Sequence, residues 1–190
     1  MTQNPDPAHA HSQTPPSTHA NAVWCLFRSG GKPFAIPLDA VVEVISVDRL
    51  IRLPLAPPGV FGLYMLRRDL TPIIRLEDCL VAADSESSAS ASSPALIGEL
   101  SVLVASTDSH LWGMIVDRGT TEVDKAPPEA SGDGDLSQIR IPGACGWRQR
   151  GGVAHLAIDP RAAWQSLRSS IMHWYTQSAA FSPMTVSESA

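Results

Sequence analysis

Two stretches of this chain repeat the same order of residue types. Both CLFRSGGKPFAIPLDAVVEV (25–44) and VLVASTDSHLWGMIVDRGTTEV (102–123) contain an apolar strand, a polar turn, an aromatic-small pair, a second apolar strand and a final Glu-Val. Phe34-Ala35 in the first stretch corresponds to Trp112-Gly113 in the second. Such a repeat favours two duplicated small barrels over a single continuous sheet.

The rest of the apolar sequence also predicts mostly β structure. Gly30 and Gly31 supply the positive φ angles of a tight hairpin. Pro72 lacks an N–H, so we expect it on an edge strand or beside a bulge. Leu38–Val44 fits either a short helix or a turn into a strand. Runs rich in β-branched and aromatic residues predict strands at Val23–Arg28, Phe34–Ile36, Val60–Leu66, Leu70–Leu76, Val102–Ala105, Leu111–Val116, Gln138–Ile141 and Val153–Ile158.

The C-terminal part changes to a helical period. Asp159 is predicted to cap a helix whose first turn contains Pro160. We expect one face of this helix to pack on the β-rich body rather than on a membrane, because few cations line its polar side. The residues of that face are Trp164, Leu167, Ile171 and Trp174.

Composition divides the chain into one folded domain with polar ends. Residues 1–20 lack apolar periodicity and are predicted to be a disordered tail. The domain is expected over 21–176, with an exposed serine- and alanine-rich loop at about 84–94, and a polar tail over 177–190.

Charge and hydropathy exclude several classes of protein. A formal net charge of −5 argues against nucleic-acid binding, which normally requires a basic face. No apolar run is long enough to span a bilayer, and the N-terminus does not resemble a secretion signal. The three cysteines include no C-x-x-C pair and are predicted to be core residues in a reducing compartment. We therefore expect a cytoplasmic protein without direct membrane insertion.

No motif predicts catalysis, a cofactor or a metal site. The Ser29–Lys32 stretch lacks the first glycine and the following Ser or Thr of a phosphate-binding loop. Asp133–Asp135 lacks the spaced oxygen ligands of a calcium loop. A small hydrolase using a cysteine remains an alternative, although nothing marks Cys25, Cys79 or Cys145 as a nucleophile. A small β body without such a site is expected to act through its surfaces.

Three segments, in order, resemble the CheW family of chemotaxis coupling proteins. They are FAIPLDAVVEV, LPLAPPGVFGLYMLRRDLTPIIRL and LWGMIVDRGTTEV, within a similarity that extends from about Val23 to Trp164. The resemblance implies an all-β fold of two SH3-like five-stranded barrels packed together, with a C-terminal helix. It also implies a noncatalytic adaptor without a cofactor, at receptor arrays beneath the inner membrane. Its partners would be the regulatory domain of a CheA-type histidine kinase and the tip of a methyl-accepting chemoreceptor.

The resemblance also implies a partner-binding surface. Arg67 falls on the family's arginine that is associated with partner contact, and Val41 and Glu43 fall on family positions near the same surface. Together with Arg68, these are the predicted partner-binding residues. The plainer alternative is that Glu43 and Arg67 only pair with each other.

Three departures from the family lie in this region. Arg68 replaces the family glycine, Met65 the usual asparagine, and Arg75 an expected acid. If the turn requires a positive φ, a residue other than glycine at position 68 destabilises it by about 1 kcal/mol. A divergent module that serves a non-flagellar or other regulatory system is therefore a second hypothesis.

Overall fold

The structure is a computed structural model that describes residues 22–53, 56–57, 59–81, 99–126, 136 and 139–180. The predicted disordered tail (1–20), the predicted loop (84–94) and residues 181–190 lie outside the described residues.

The described part of the chain forms ten strands and two α-helices. Leu38–Ala40 forms a 3₁₀ turn that leads into the third strand. The helices are α1 (Leu76–Val81) and α2 (Pro160–Ala180), so the first residues of the predicted C-terminal tail are helical. The strands are β1 (Trp24–Ser29), β2 (Lys32–Pro37), β3 (Val41–Val47), β4 (Val60–Leu66), β5 (Asp69–Ile74), β6 (Leu100–Thr107), β7 (His110–Val116), β8 (Glu122–Asp124), β9 (Ala144–Arg150) and β10 (Val153–Ile158).

The strands form two five-stranded sheets, which confirms the predicted fold class. The first sheet has the order β8-β1-β2-β10-β9, and the second has the order β3-β6-β7-β5-β4. Each sheet thus combines two strands from one half of the chain with three from the other. The repeated stretches correspond to β1–β3 and β6–β8, but the last strand of each stretch lies in the opposite sheet. Neither half of the chain can complete a sheet alone.

The buried side chains form three groups, of which the largest joins the two sheets. The main core lies between the two sheets and α2, and contains Phe27, Phe34 and Trp112, each at most 1% exposed. A second core, formed by Val47, Ile73, Val102 and Val104, lies on the other face of the second sheet. A third, smaller group, formed by Trp24, Leu26, Ala35 and Ala157, lies on the first sheet. The alternation of β6 explains this arrangement, because neighbouring residues of a strand point to opposite faces.

The predicted start of the C-terminal helix is confirmed. The Oδ1 atom of Asp159 accepts hydrogen bonds from the backbone N–H groups of Arg161 and Ala162, at 2.8 and 2.9 Å. These bonds satisfy donors that have no partner within the helix. Ala163 and Leu167 are buried in the main core, while Trp164 and Ile171 pack against it. The helix therefore packs on the β-rich body, as predicted.

The prediction of a strand at Gln138–Ile141 is wrong. Gln138 lies outside the described residues, and residues 139–141 have no strand structure. Ile141 is buried in the main core immediately before a turn at Gly143, whose φ is +75°. A Cβ atom at Gly143 would lie 2.5 Å from the Asp159 carbonyl oxygen. The apolar residues are thus buried by a turn against the start of α2 rather than by strand pairing.

Pro72 does not lie on an edge strand, because β5 is inside the second sheet. It pairs with Leu63 of β4, whereas the pairing of β5 with β7 involves Ile73 and Ile74. Pro72 therefore lies before the residues of β5 that pair with β7, and its lack of an N–H does not interrupt that pairing. The expected irregularity lies nearby in β4, where the register shifts between Val60 and Gly62.

Candidate functional site

The predicted recognition turn brings the two edges of the second sheet together. Arg67 lies in the turn after β4, at one edge, and Glu43 lies on β3, at the other edge. The Nη2 atom of Arg67 donates a hydrogen bond to Oε1 of Glu43 at 2.8 Å. The side chains are 65% and 32% exposed, respectively. The second sheet is therefore curved enough for a solvent-accessible ion pair to connect its two edge strands.

Exposed aliphatic side chains flank this ion pair. Val42 and Val44 neighbour Glu43 in β3, and Met65 and Leu70 face each other across the β4–β5 ladder next to the turn. All four are at least 39% exposed. Charged groups beside exposed aliphatic area are typical of protein-interaction surfaces. We call the surface formed by Val42, Glu43, Val44, Met65, Arg67, Arg68 and Leu70 the hairpin surface.

The backbone of the turn is left-handed at both residues. Arg67 has a φ of +49° and Arg68 a φ of +79°. Leu66 pairs directly with Asp69, so the turn is the two-residue type in which both central residues have positive φ. The turn therefore requires at position 68 the conformation that glycine adopts most easily, and Arg68 is a genuine departure from that preference.

Three of the four predicted site residues lie together, and the fourth is set apart. Glu43 and Arg67 are in contact, and Arg68 follows directly in the turn. Val41 instead is partly buried, packs against the main core and pairs with Ala105. A register shift separates Val41 from Glu43. The exposed aliphatic side chains of β3 beside Glu43 are those of Val42 and Val44.

The sequence carried a signal for the two aliphatic residues of the hairpin that were missed. Met65 and Leu70 are equally distant from the centre of the Arg67-Arg68 turn. In a two-residue hairpin, residues at such positions lie opposite each other on the same face. Their neighbours Tyr64 and Leu66 pack on the second core, so Met65 points away from it.

Arg75, another departure from the family, is engaged within the chain. Its guanidinium lies 4.1 Å from the centroid of the Phe61 ring, and its Nε atom lies 3.4 Å from Oε1 of Glu77. A second guanidinium, that of Arg52, lies 5.1 Å from the same ring. Arg75 follows β5, at the opposite end of the hairpin from the Arg67-Arg68 turn. It therefore belongs to a separate cation–π cluster and not to the hairpin surface.

The edges of the first sheet are joined by a buried ion pair. Arg148 of β9 and Asp124 of β8 lie 3.5 Å apart, and each residue is 4% exposed. Arg148 also donates to the carbonyl oxygen of Ala126 at 2.9 Å and lies over the Trp24 ring. Burial lowers the pKa of Arg148, and the charge of Asp124 opposes this effect. Both sheets therefore join their edges through an arginine and a carboxylate, one pair buried and the other exposed.

Two clefts among the described residues are open to solvent. One, of about 440 Å³, lies between Asp39, Thr107 and Arg161, where α2 begins. The other, of about 380 Å³, lies beside Arg28, Glu122 and His155 on the first sheet. Neither is lined by a cysteine. Their linings do not bring a thiol together with a histidine, as a cysteine hydrolase would require.

The thiols are poorly suited to nucleophilic attack. Burial raises the pKa values of Cys25 and Cys79 to about 11, and desolvation of the thiol does the same for Cys145, although that residue is exposed and not in the core as predicted. The Sγ atom of Cys145 donates to the carbonyl oxygen of Ala157 at 3.4 Å. A nucleophilic cysteine needs a thiolate near neutral pH, which requires a lowered pKa.

Metal binding and membrane crossing find no support within the described ranges. In that part of the chain, no group of three or more His, Cys, Asp or Glu side chains is placed to hold a metal ion. None of the described helices combines the length and the apolar character needed to cross a membrane.

The fold and the site define a class of protein: a two-sheet β domain whose candidate site is an exposed surface rather than an enclosed pocket. The model of the CheW-like domain matches residues 24–158. The chain therefore belongs to the CheW-like domain family, as the resemblance predicted. A search of curated proteins gave no match.

Comparison with solved structures supports the same fold. The structure is similar to that of the scaffolding protein TtCheW from Thermoanaerobacter tengcongensis, with a TM-score of 0.57 and 16% sequence identity. The match covers 81% of this chain and 92% of that chain. At this identity the similarity shows the fold, and it confirms the predicted CheW-like architecture.

Proposed function

We propose that this protein is a noncatalytic adaptor in chemotaxis-type signal transduction. It couples the tip of a methyl-accepting chemoreceptor to the regulatory domain of a CheA-type histidine kinase. It works in the cytoplasm, at receptor arrays beneath the inner membrane, and uses no cofactor. The family membership and the scaffolding role in the name of TtCheW support this proposal.

The observation that carries the proposal is the composition of the hairpin surface. A charged pair that joins two sheet edges is flanked in the two strands by aliphatic side chains that are at least 39% exposed. The pair itself contributes little to stability, because the Arg67 side chain is 65% exposed and that of Glu43 is 32% exposed, so that solvent screens the interaction. Its position beside Met65 and Leu70 instead suits recognition, in which arginine adds directional hydrogen bonds to an apolar contact.

Each predicted site residue has a distinct role in this proposal. Arg67 and Arg68 contact the partner, and Glu43 holds the Arg67 guanidinium in a defined position. Val41 supports β3 from behind through its contact with the main core. The direct aliphatic contacts come from Val42 and Val44.

A binding experiment with purified proteins tests the proposal. The kinase regulatory domain and a soluble receptor-tip fragment from the same genome are titrated separately against the full chain. We expect each to bind, and we expect Arg67→Ala to weaken kinase binding. Arg118→Ala is a matched control, because Arg118 is also an exposed arginine paired with an exposed glutamate, Glu99. The proposal would be contradicted if the wild-type chain bound neither the kinase regulatory domain nor the receptor-tip fragment.

A second candidate function is favoured by the charge of the turn. Arg68 occupies a position with a φ of +79° that suits glycine, so the hairpin surface differs in charge from the family pattern. A module serving a non-flagellar system or another regulator would have such a retuned surface. Normal assembly of the receptor array in a strain that lacks this chain would favour this second function.

A further inference from the structure

Arg68 combines an unfavourable backbone conformation with a charge that is not neutralised within the described chain. Its φ is +79°, its side chain is exposed, and it forms no ion pair with any residue that the structure describes. We infer that Arg68 is the specificity-determining cation of the hairpin surface and that it selects a partner face bearing carboxylates beside apolar side chains. This inference rests on the proposed function, because it specifies the chemistry of the kinase surface that the hairpin surface contacts.

The other hairpins of the same chain show that the conformation matters. Three further two-residue turns have positive φ at both central residues. At the position equivalent to Arg68, two of them have glycine: Gly31 with a φ of +74° and Gly152 with a φ of +75°. The third has Ser109, with a φ of +66°. Arg68 is thus the largest side chain placed at a position that two of these turns fill with glycine.

The charged residues at the first position of these turns form ion pairs within the chain. Arg68, at the second position of its turn, forms none with the described residues. Arg67 pairs with Glu43, and Asp108 of the β6–β7 turn pairs with Arg161 at 3.1 Å. Ser109 carries no charge. A side chain that breaks a local rule without an internal compensation is expected to serve a contact outside the chain. Arg68 meets this criterion within the described residues.

The surroundings of Arg68 define the chemistry of the partner. Glu43 already neutralises Arg67. Asp69 pairs in register with Leu66, which packs on the second core, so Asp69 belongs to that face of the hairpin. Met65 and Leu70 form the opposite face. A complementary partner therefore needs a carboxylate for the Arg68 guanidinium, which binds carboxylates through two parallel hydrogen bonds, and apolar side chains for the aliphatic pair.

The test measures the affinity of the kinase regulatory domain for the full chain at low and high salt. Arg68→Gln removes the charge, Arg68→Lys keeps it, and Arg118→Gln removes a charge elsewhere on the surface. We expect Arg68→Gln to weaken binding about tenfold at low salt and to reduce its salt dependence. Arg68→Lys keeps the charge but not the two parallel hydrogen bonds, so it should retain the salt dependence and lose less affinity than Arg68→Gln. Arg118→Gln should leave both quantities unchanged. Thermal melting of each variant confirms that the fold is intact.

The outcomes separate this inference from the proposed function. Wild-type affinity and salt dependence in Arg68→Gln, together with weak binding by Arg67→Ala, would overturn the inference and leave the proposed function standing. Equal losses in Arg68→Gln and Arg118→Gln would also overturn it, because net charge alone would then explain the effect. Absence of binding by the wild-type chain would overturn both.

Discussion

The Nη2 atom of Arg67 lies 2.8 Å from Oε1 of Glu43, so that a turn at one edge of the second sheet is tied to the strand at the other edge. The corresponding junction of the first sheet is the Asp124–Arg148 pair, which is almost completely buried. A partner can reach the exposed pair, whereas the buried pair can contribute only to the stability of the fold. This difference leads to opposite expectations for substitutions at the two sites.

Arg67→Ala should change the free energy of unfolding by less than about 1 kcal/mol, because an ion pair this exposed is screened by solvent. Glu43→Gln should have an effect of similar size. Urea denaturation of both variants measures the change. A loss of several kcal/mol in either variant would show that the pair is needed to hold the sheet edges together, and the recognition role would then lose its main support.

Asp124→Asn should destabilise the protein by about 3–5 kcal/mol, because it leaves the Arg148 guanidinium buried without its counter-charge. Arg150, whose Nε atom lies 3.4 Å from Asp124, loses the same partner. Combining Asp124→Leu with Arg148→Met should cost less than Asp124→Asn, since no uncompensated charge remains between them. Urea denaturation compares the variants, and a loss below about 1 kcal/mol in Asp124→Asn would contradict the assignment.

Arg68→Gly should stabilise the fold by about 1 kcal/mol, because glycine adopts a positive φ without the steric conflict of a Cβ atom. The matched reverse change is Gly31→Ala, at a φ of +74° with no atom within 4 Å of the added Cβ. It should destabilise by about the same amount, through backbone conformation alone. Differential melting temperatures measure both. An unchanged or lower stability of Arg68→Gly would show that the arginine side chain makes a compensating contact in the folded chain.

The thiols should react slowly at neutral pH and faster in base. With pKa values of about 11 in the folded protein, the thiolate fraction rises about tenfold for each unit of pH up to that value. Titration with a disulfide reagent between pH 7 and pH 10 follows this rise. A thiol that reacts rapidly at pH 7 would revive the hydrolase hypothesis.

The same pKa values predict the sign of a pH effect on stability. Because the thiols of the unfolded chain ionise near the ordinary value of 9.0, the unfolded chain loses these protons first. The contribution of the thiols to the free energy of unfolding is therefore intact below pH 9 and is lost as the pH rises from 9 toward about 11. Replacing the three cysteines by alanine should flatten the decline of stability in this range, and an equal decline in the two proteins would contradict the prediction.

Asp159→Ala should destabilise the fold by about 1 kcal/mol, because two N–H donors at the start of α2 lose their acceptor. Asp159→Asn should preserve most of the stability, since an amide oxygen accepts the same bonds. The free energy of unfolding of the two variants gives the comparison. Equal losses in both would indicate that the charge, and not the hydrogen bonding, stabilises the helix start.

Local patterns in the sequence were sufficient for most of the secondary structure. The glycine pair at 30–31, the cap at Asp159 and the apolar face of α2 each act through neighbouring residues, and each was predicted. Strand β9 was missed because its sequence, ACGWRQR, has little of the β-branched character on which strand prediction depends. The burial of Arg148 in this strand depends on its ion pair with Asp124, which lies in another strand of the sheet.

The sequence by itself determined most of the strand-forming segments, the positive-φ turn at Gly30 and Gly31, the capped helix and the family resemblance, because these depend on residue types a few positions apart. The tertiary structure alone decided that the two halves exchange strands and that Val42 and Val44 rather than Val41 face outward. It also showed that Glu43 and Arg67 pair, which the sequence had offered only as an alternative. These features depend on how the sheets curl and on a single register shift in β3. A shift of one residue reverses the face of every side chain in a strand, and the pairing that fixes it is made by residues distant in sequence.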